Sequence, residues 1–251
     1  MKLNNFIFLK TIAISDYNVF ASDINDIQID INTKAIINTI NAHSFIVAKN
    51  DRHFKKALVD SDILLPDGEG IVLMAKKIRS KKIKKIAGAD IHNHLLSISN
   101  EQKLKCFYLG SSDSTLNLIK DKLSAQYSNT KFDFFSPPFK TDFSKSDNDE
   151  MISRINRFQP HVLFVGMTAP KQEKWVLNNK ENLNANVICS IGAVFDFIAE
   201  TKKRAPQWII NLRLEWFYRS FTAWRLAKRY LYSTPLFLIE IYKQKFLKKS
   251  E

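Results

Sequence analysis

From about residue 34 onward, short apolar runs rich in β-branched and aromatic residues alternate with stretches whose apolar positions recur at spacings of three and four. The first pattern is that of buried strands and the second that of amphipathic helices. Strands are predicted near 34–40, 62–65, 103–109, 131–135, 161–165 and 187–191, and helices near 43–58, 69–78, 89–99, 113–126, 147–157, 169–180 and 193–199. The segment 136–149, with Pro137-Pro138 and several Ser and Asp, reads as a loop. Strand-then-helix alternation predicts an α/β fold: a Rossmann-like, mostly parallel sheet with helices on both faces, because each parallel connection needs a crossover. Near the end, residues 213–232 read as a further amphipathic helix, in which Trp216, Phe217, Phe221, Trp224 and Tyr230 mingle with Arg219, Arg225, Lys228 and Arg229. The expected organisation is therefore an α/β core over 1–200 followed by a basic amphipathic C-terminal helical appendage over 201–251.

Glycine placement locates the functional edge of such a sheet. Of six glycines, those at 68, 110, 166 and 192 each follow a predicted strand and precede a predicted helix. Any one could be a tight turn, but four at equivalent positions mark the carboxyl edge, where open α/β sheets bind ligands and helix N-termini offer N–H groups to anions.

Composition changes this picture mainly through charge. The chain has 251 residues, is 45% hydrophobic and carries a net charge of +13, which fits one sizeable folded core with an appendage. Residues 202–251 hold twelve Lys or Arg against three acids, and a second basic cluster runs from Lys76 to Lys85. Charge of this kind attracts nucleic acid, anionic lipid or phosphorylated small molecules and does not choose among them; a merely solvated face explains the middle cluster equally well. Cys106 and Cys189 sit inside apolar runs, so they suggest neither a disulfide framework nor a zinc site, and a reducing, cytoplasmic setting is expected. No secretory signal pattern is read at the N-terminus, and the apolar stretch 234–242 is interrupted by Glu240 and far shorter than the roughly 20 residues that span a bilayer.

The familiar phosphate and metal motifs are weak. Gly68-Glu69-Gly70 opens a G-x-G, but Leu73 stands where a dinucleotide fingerprint needs its third glycine, and no Walker A sequence is present. Gly110-Ser111-Ser112, closing a strand and opening a helix, is a better phosphate cradle, with an ordinary N-cap as the competing explanation. Two D-x-D triplets, Asp60-Ser61-Asp62 and Asp147-Asn148-Asp149, lie at the wrong sheet edge and at a helix start respectively, which argues against a metal–diphosphate clamp. His92-Asn93-His94 would point its rings apart on a helix. Asp67 differs, since it follows a strand at the carboxyl edge, where a carboxylate can act as general base or simply cap the next helix.

The run Phe164-Val165-Gly166-Met167-Thr168-Ala169-Pro170-Lys171-Gln172-Glu173-Lys174-Trp175 breaks that tie. Together with Leu65-Pro66-Asp67-Gly68, Ile86-Ala87-Gly88-Ala89-Asp90, the block from Ile191 to Asp196, Lys203-Arg204-Ala205-Pro206 and Leu214-Glu215-Trp216, it resembles the WecG/TagA/CpsF glycosyltransferase family, collinearly over about residues 34–231. The resemblance implies an inverting transfer of a sugar, N-acetylmannosamine-like or another hexose, from a UDP-sugar to a sugar on a polyprenyl diphosphate. It makes Asp67 the base, with Thr39 and Gln172 in the catalytic set. Asn41, Lys85, Gly166 and Asp196 become substrate contacts beside Gly110 and Ser111 of the phosphate cradle read above, and Arg219, Arg225, Lys228 and Arg229 become contacts to the acceptor diphosphate. Lys85 departs from the usual arginine, keeping the charge but not the planar two-pronged contact. The entry region before residue 30 reads as shortened. The resemblance further implies no metal and no other cofactor, and a peripheral position at the inner face of the plasma membrane against an anionic surface. A nucleic-acid-binding protein is the rival reading, motivated by charge alone; the family reading expects no nucleic acid, and a homo-oligomer is left open.

Overall fold

In the computed structural model, which describes residues 9–201, 206, 209 and 224–247, eight strands form one sheet. They are β1 (Thr11–Ile14), β2 (Tyr17–Phe20), β3 (Ala35–Ile40), β4 (Ile63–Pro66), β5 (Lys105–Gly110), β6 (Lys131–Phe135), β7 (Val162–Gly166) and β8 (Val187–Ser190), in the order β1-β2-β4-β3-β8-β7-β5-β6. Every pairing is parallel except β1 with β2. The helices are α1 (Ala42–Asn50), α2 (Arg52–Val59), α3 (Glu69–Arg79), α4 (Gly88–Glu101), α5 (Asp113–Gln126), α6 (Lys145–Phe158), α7 (Lys171–Asn179), α8 (Val194–Ile198) and α9 (Trp224–Leu247).

The central strands are apolar on both sides because both sides are covered. Successive residues alternate between two cores. Ile37, Leu65, Tyr108, Phe164 and Cys189 pack with α4, α5 and α8, while Ile36, Leu64, Phe107, Leu163 and Ile188 face the helices of the opposite layer. This is a three-layer sandwich, and each fully buried large side chain stabilises it by about 1.5–3 kcal/mol. Tyr108 is the hub of the first core, stacked on Phe134 and tilted against Phe164 and Phe195, with its hydroxyl 2.8 Å from His92 Nε2.

Four expectations need correction. The predicted helix 43–58 is two helices, because Asp51 ends α1 in an extended conformation and restarts the chain as the N-cap of α2, accepting from Phe54 N at 2.9 Å. The loop predicted over 136–149 stops earlier, since Ser144 and Asp147 form a capping box that starts α6 at Lys145. The N-terminal region contributes a strand pair that the sequence reading lacked: β1 and β2 turn at Ser15, which holds a left-handed φ of 52° without being glycine. Two four-residue strands are too short to show alternation, and a Ser-Asp turn carries none of the usual hairpin signal. The tail helix, expected over 213–232, continues through Tyr232 to Leu247, and residues 213–223 of that expectation lie outside the described ones.

α9 is seated on the domain. It packs against α1 and α3, buries Ser233, Phe237 and Ile241 along one stripe, and meets Phe45 with the Phe237 ring edge-on at a centroid distance of 5.4 Å. Its other side exposes Leu231, Leu238, Tyr242 and Phe246.

Candidate functional site

The carboxyl ends of β3 and β4 are drawn together by backbone bonds that continue past the strands. Asp67 N donates to Ile40 O at 2.9 Å, and Ile86 N donates to Pro66 O at 3.0 Å. The first bond sets Asp67 beside the β3–α1 turn, and the second lays Lys85 alongside the β4–α3 turn. Asn41 follows β3 and caps α1, its Oδ1 accepting from Ser44 N at 3.0 Å. Gly68, at φ 101°, lets the chain leave β4 close to Asn41, whose Cβ lies 3.8 Å from where a Gly68 side chain would begin. Thr39 pairs with Leu65 just inside the edge. The fold thus gathers Thr39, Asn41, Asp67 and Lys85 at one place, all half-buried.

The neighbouring strands extend this edge. Gly110 and Gly166 sit opposite each other on β5 and β7. A side chain on Gly110 would lie 2.5 Å from Gly166 O, and one on Gly166 would lie 2.5 Å from the Phe195 ring, so the glycines are required by close packing as much as by any ligand. Ser111 follows with a left-handed φ of 67°, and Ser112 caps α5 through Thr115 N. Gln172, in the first turn of α7, is buried: its Oε1 accepts from Met167 N at 3.1 Å and its Nε2 donates to Glu173 Oε1 at 2.9 Å. Gly192, at φ 46°, leaves room for that amide, whose atoms are 3.3–3.4 Å from a Cβ there. Asp196 stands in the first turn of α8.

This assembly can be compared with known proteins. The sequence model of the glycosyl transferase WecG/TagA/CpsF family matches residues 11–251. The chain belongs to that family. An N-acetylglucosaminyldiphosphoundecaprenol N-acetyl-beta-D-mannosaminyltransferase of Bacillus subtilis (strain 168) is 32% identical over 223 residues, 88% of this chain and 84% of that protein. A protein of the same name from Staphylococcus aureus (strain NCTC 8325 / PS 47) is 26% identical over 207 residues, 82% and 79% of the two chains.

Within this WecG/TagA/CpsF fold, the motif blocks holding Asp67, Gly166 and Asp196, and Lys85 just ahead of the Ile86–Asp90 block, lie at the carboxyl edge of the sheet. Other candidates do not. Asp62 accepts from Ile36 N at 2.7 Å at the amino end of the sheet, and Asp147 is consumed by Ser144 and Lys140. His92 is fully buried, with its pKa pushed down to about 4 by desolvation, while His94 turns away to Ile27 O. Burial raises the Cys106 thiol to about 12 and the Cys189 thiol higher still, so both stay protonated and inert. Among the described residues, no three His, Cys, Asp or Glu side chains cluster as metal ligands would. A cavity of about 490 Å³ at the opposite, amino edge is lined by Lys34, Lys105 and His161, but both lysines are spent on backbone carbonyls.

Two groups at the site were not found by sequence reasoning. Glu173 is buried beside Gln172, and desolvation raises its carboxyl from 4.5 to about 7; the only sequence signal was its place in the Lys-Gln-Glu-Lys run. His43, two residues past Asn41, meets Ser233 of α9 with Nδ1 and Oγ 2.6 Å apart. Lys228 is exposed and Arg229 half-buried on α9. Arg219 lies outside the described residues, as does the side chain of Arg225. No helix among the described residues is long and apolar enough to cross a membrane.

Proposed function

We propose that this glycosyltransferase moves a hexose, N-acetylmannosamine or a close relative, from a UDP-sugar to a sugar carried on a polyprenyl diphosphate, with inversion, in the building of a cell-surface polysaccharide. The observation that carries the reading is the meeting of Asp67, Asn41 and Lys85 at the adjoining ends of β3 and β4, in a chain whose relatives are named for transfer to a diphosphoundecaprenol-linked sugar. Asp67 takes the proton from the acceptor hydroxyl as that oxygen forms its bond to the anomeric carbon. The bond from that carbon to the diphosphate breaks on the opposite face, and UDP leaves with the electron pair. Charge growing on the diphosphate is met by Lys85 and by the N–H groups of the Gly110–Ser112 turn at the start of α5. Gln172, held by Met167 N and Glu173, fixes the turn after β7 that closes this pocket.

The tail serves the acceptor. Residues 201–251 form the appendage of this proposal, a functional division from the core of 1–200 even though α9 is seated upon it. The contacts to the lipid diphosphate are assigned to Arg219, Arg225, Lys228 and Arg229, and the exposed Leu231, Leu238, Tyr242 and Phe246 enter the headgroup boundary of an anionic inner membrane surface. Substitution Asp67→Asn tests the chemistry. It keeps the side chain's size while removing the charge and turning one acceptor oxygen into a donor, so the variant is expected to melt within a few degrees of wild type and to bind UDP, yet to lose at least about a thousandfold in transfer. Transfer retained within tenfold would remove Asp67 as the base.

A further inference from the structure

α9 runs in the same direction as α1. Ser233 meets His43 near the start of α1, Phe237 meets Phe45 one turn on, and Glu240 pairs with Lys49 at its end, Nζ to Oε2 2.5 Å. Because α1 starts at the carboxyl edge of the sheet and runs away from it, the first turns of α9 lie at that same edge. Arg229 is one helical turn before Ser233 on the same stripe, about 6 Å further toward the edge. Its charge is felt at His43, where burial first and Arg229 second hold the imidazole below its ordinary pKa.

The register of this pairing is set by shape. Phe237 seats over Gly70 in the first turn of α3: a side chain on Gly70 would begin 3.2 Å from the Phe237 ring and 3.1 Å from Ala42 Cβ. Phe237 and Ser233 are each almost wholly buried, at 2% and 1% exposure. Slipping α9 by one turn would expose the Phe237 ring and separate Ser233 from His43. The two helices that grip α9 are the two that begin one residue after Asn41 and two residues after Asp67.

We infer that His43 is a positioning residue for the acceptor: bonded to Ser233 and backed by the Phe237–Gly70 seat, it fixes α9 in the register that sets Arg229 beside the Asn41 and Asp67 turns. This rests on the reading that the acceptor diphosphate is held by the tail. A cation on a helix placed one turn away would reach past the site, so the latch determines whether the diphosphate is gripped while the sugar hydroxyl faces Asp67.

The experiment compares steady-state KM and kcat for a synthetic prenyl-diphosphate sugar with UDP affinity by calorimetry, in full-length wild type, His43→Ala, His43→Gln, Ser233→Ala and the double variant His43→Ala/Ser233→Ala. Loss of one buried hydrogen bond predicts about a tenfold rise in acceptor KM for each alanine variant, no further rise in the double variant, and UDP affinity within about twofold of wild type. His43→Gln can still bond to the Ser233 hydroxyl and is expected to recover most of the loss. Gly70→Ala attacks the seat from the other side, against Phe237 and Ala42, and is expected to raise the acceptor KM as the alanine variants do. An acceptor KM unchanged in His43→Ala, or additive effects of the two alanines, would overturn the latch. Failure of the underlying reading looks different, because Arg229→Ala would then leave the acceptor KM at the wild-type value, whatever the His43 variants do.

Discussion

At the scale of single residues, the site depends on groups whose environment sets their protonation, and Glu173 is the clearest case. Its Oε1 accepts from Gln172, its Oε2 has no hydrogen-bond partner, and burial raises its pKa from 4.5 to about 7. The folded chain therefore keeps a proton that the unfolded chain loses between those values. The stability this contributes is fully present below pH 4.5, declines as pH rises, and is gone above 7. Its upper size is roughly 3 kcal/mol. Urea unfolding of wild type and Glu173→Gln at pH 5 and pH 8 should show wild type losing stability relative to the variant as pH rises; parallel behaviour would mean the carboxyl is not buried as a neutral acid. The position of Asp67 was legible in the sequence because its neighbours, a strand, a proline and a glycine, place it at an edge. The inward turn of Gln172 and the role of Glu173 were not, because burial of a polar side chain in a helix first turn depends on what the adjacent strand ends supply, here Met167 N and the open space above Gly192.

At the scale of elements, the central apolar strands announced themselves, four-residue β4 and β8 included, since a strand covered on both faces must be apolar at nearly every position. What stayed hidden were features with short range: the β1–β2 pair, whose strands are four residues each, and the break at Asp51, where one side chain ends a helix and starts another. The glycines were legible as edge markers, but part of their cause lies elsewhere. Gly166 faces the Phe195 ring, and Gly110 faces the Gly166 carbonyl, so strands β5 and β7 and helix α8 close upon one another exactly where side chains are missing. Gly166→Ala should cost about 2–3 kcal/mol or more by forcing Phe195 out of its place beside Tyr108. Gly68→Ala puts strain at φ 101° but meets only Asn41 at 3.8 Å, so it should cost less stability and disturb the Asp67 turn more. Thermal melts paired with transfer assays distinguish the two; equal losses of stability would contradict the packing argument.

At the scale of the whole molecule, the tail presents two opposite faces, and their separation decides how it should be tested. One stripe of α9, with Phe237 and Ile241, belongs to the core shared with α1 and α3, so removing the tail would also uncover Ile71, Met74 and Phe45. The other carries Leu231, Leu238, Tyr242 and Phe246 in the open, beside Lys228, Lys243 and Lys245, within a segment of net +9. Exposed apolar side chains in a basic surround lower solubility unless something covers them, and an anionic bilayer covers both kinds at once: the rings and leucines enter the boundary region while each Lys or Arg near the surface adds about 1 kcal/mol. Leu231→Gln, Leu238→Gln and Tyr242→Ser together should leave the melting temperature nearly unchanged, because surface positions of this kind contribute within about 0.5 kcal/mol. The same triple variant should bind vesicles containing anionic lipid at least about a hundredfold more weakly than wild type, since partial burial of three such side chains is worth about 3 kcal/mol or more. Wild type should in turn bind neutral vesicles poorly and lose affinity for anionic ones as salt rises. Unaltered pelleting of the triple variant would show that the outer face of α9 meets something other than lipid, and would leave the charge of the tail to the acceptor diphosphate alone.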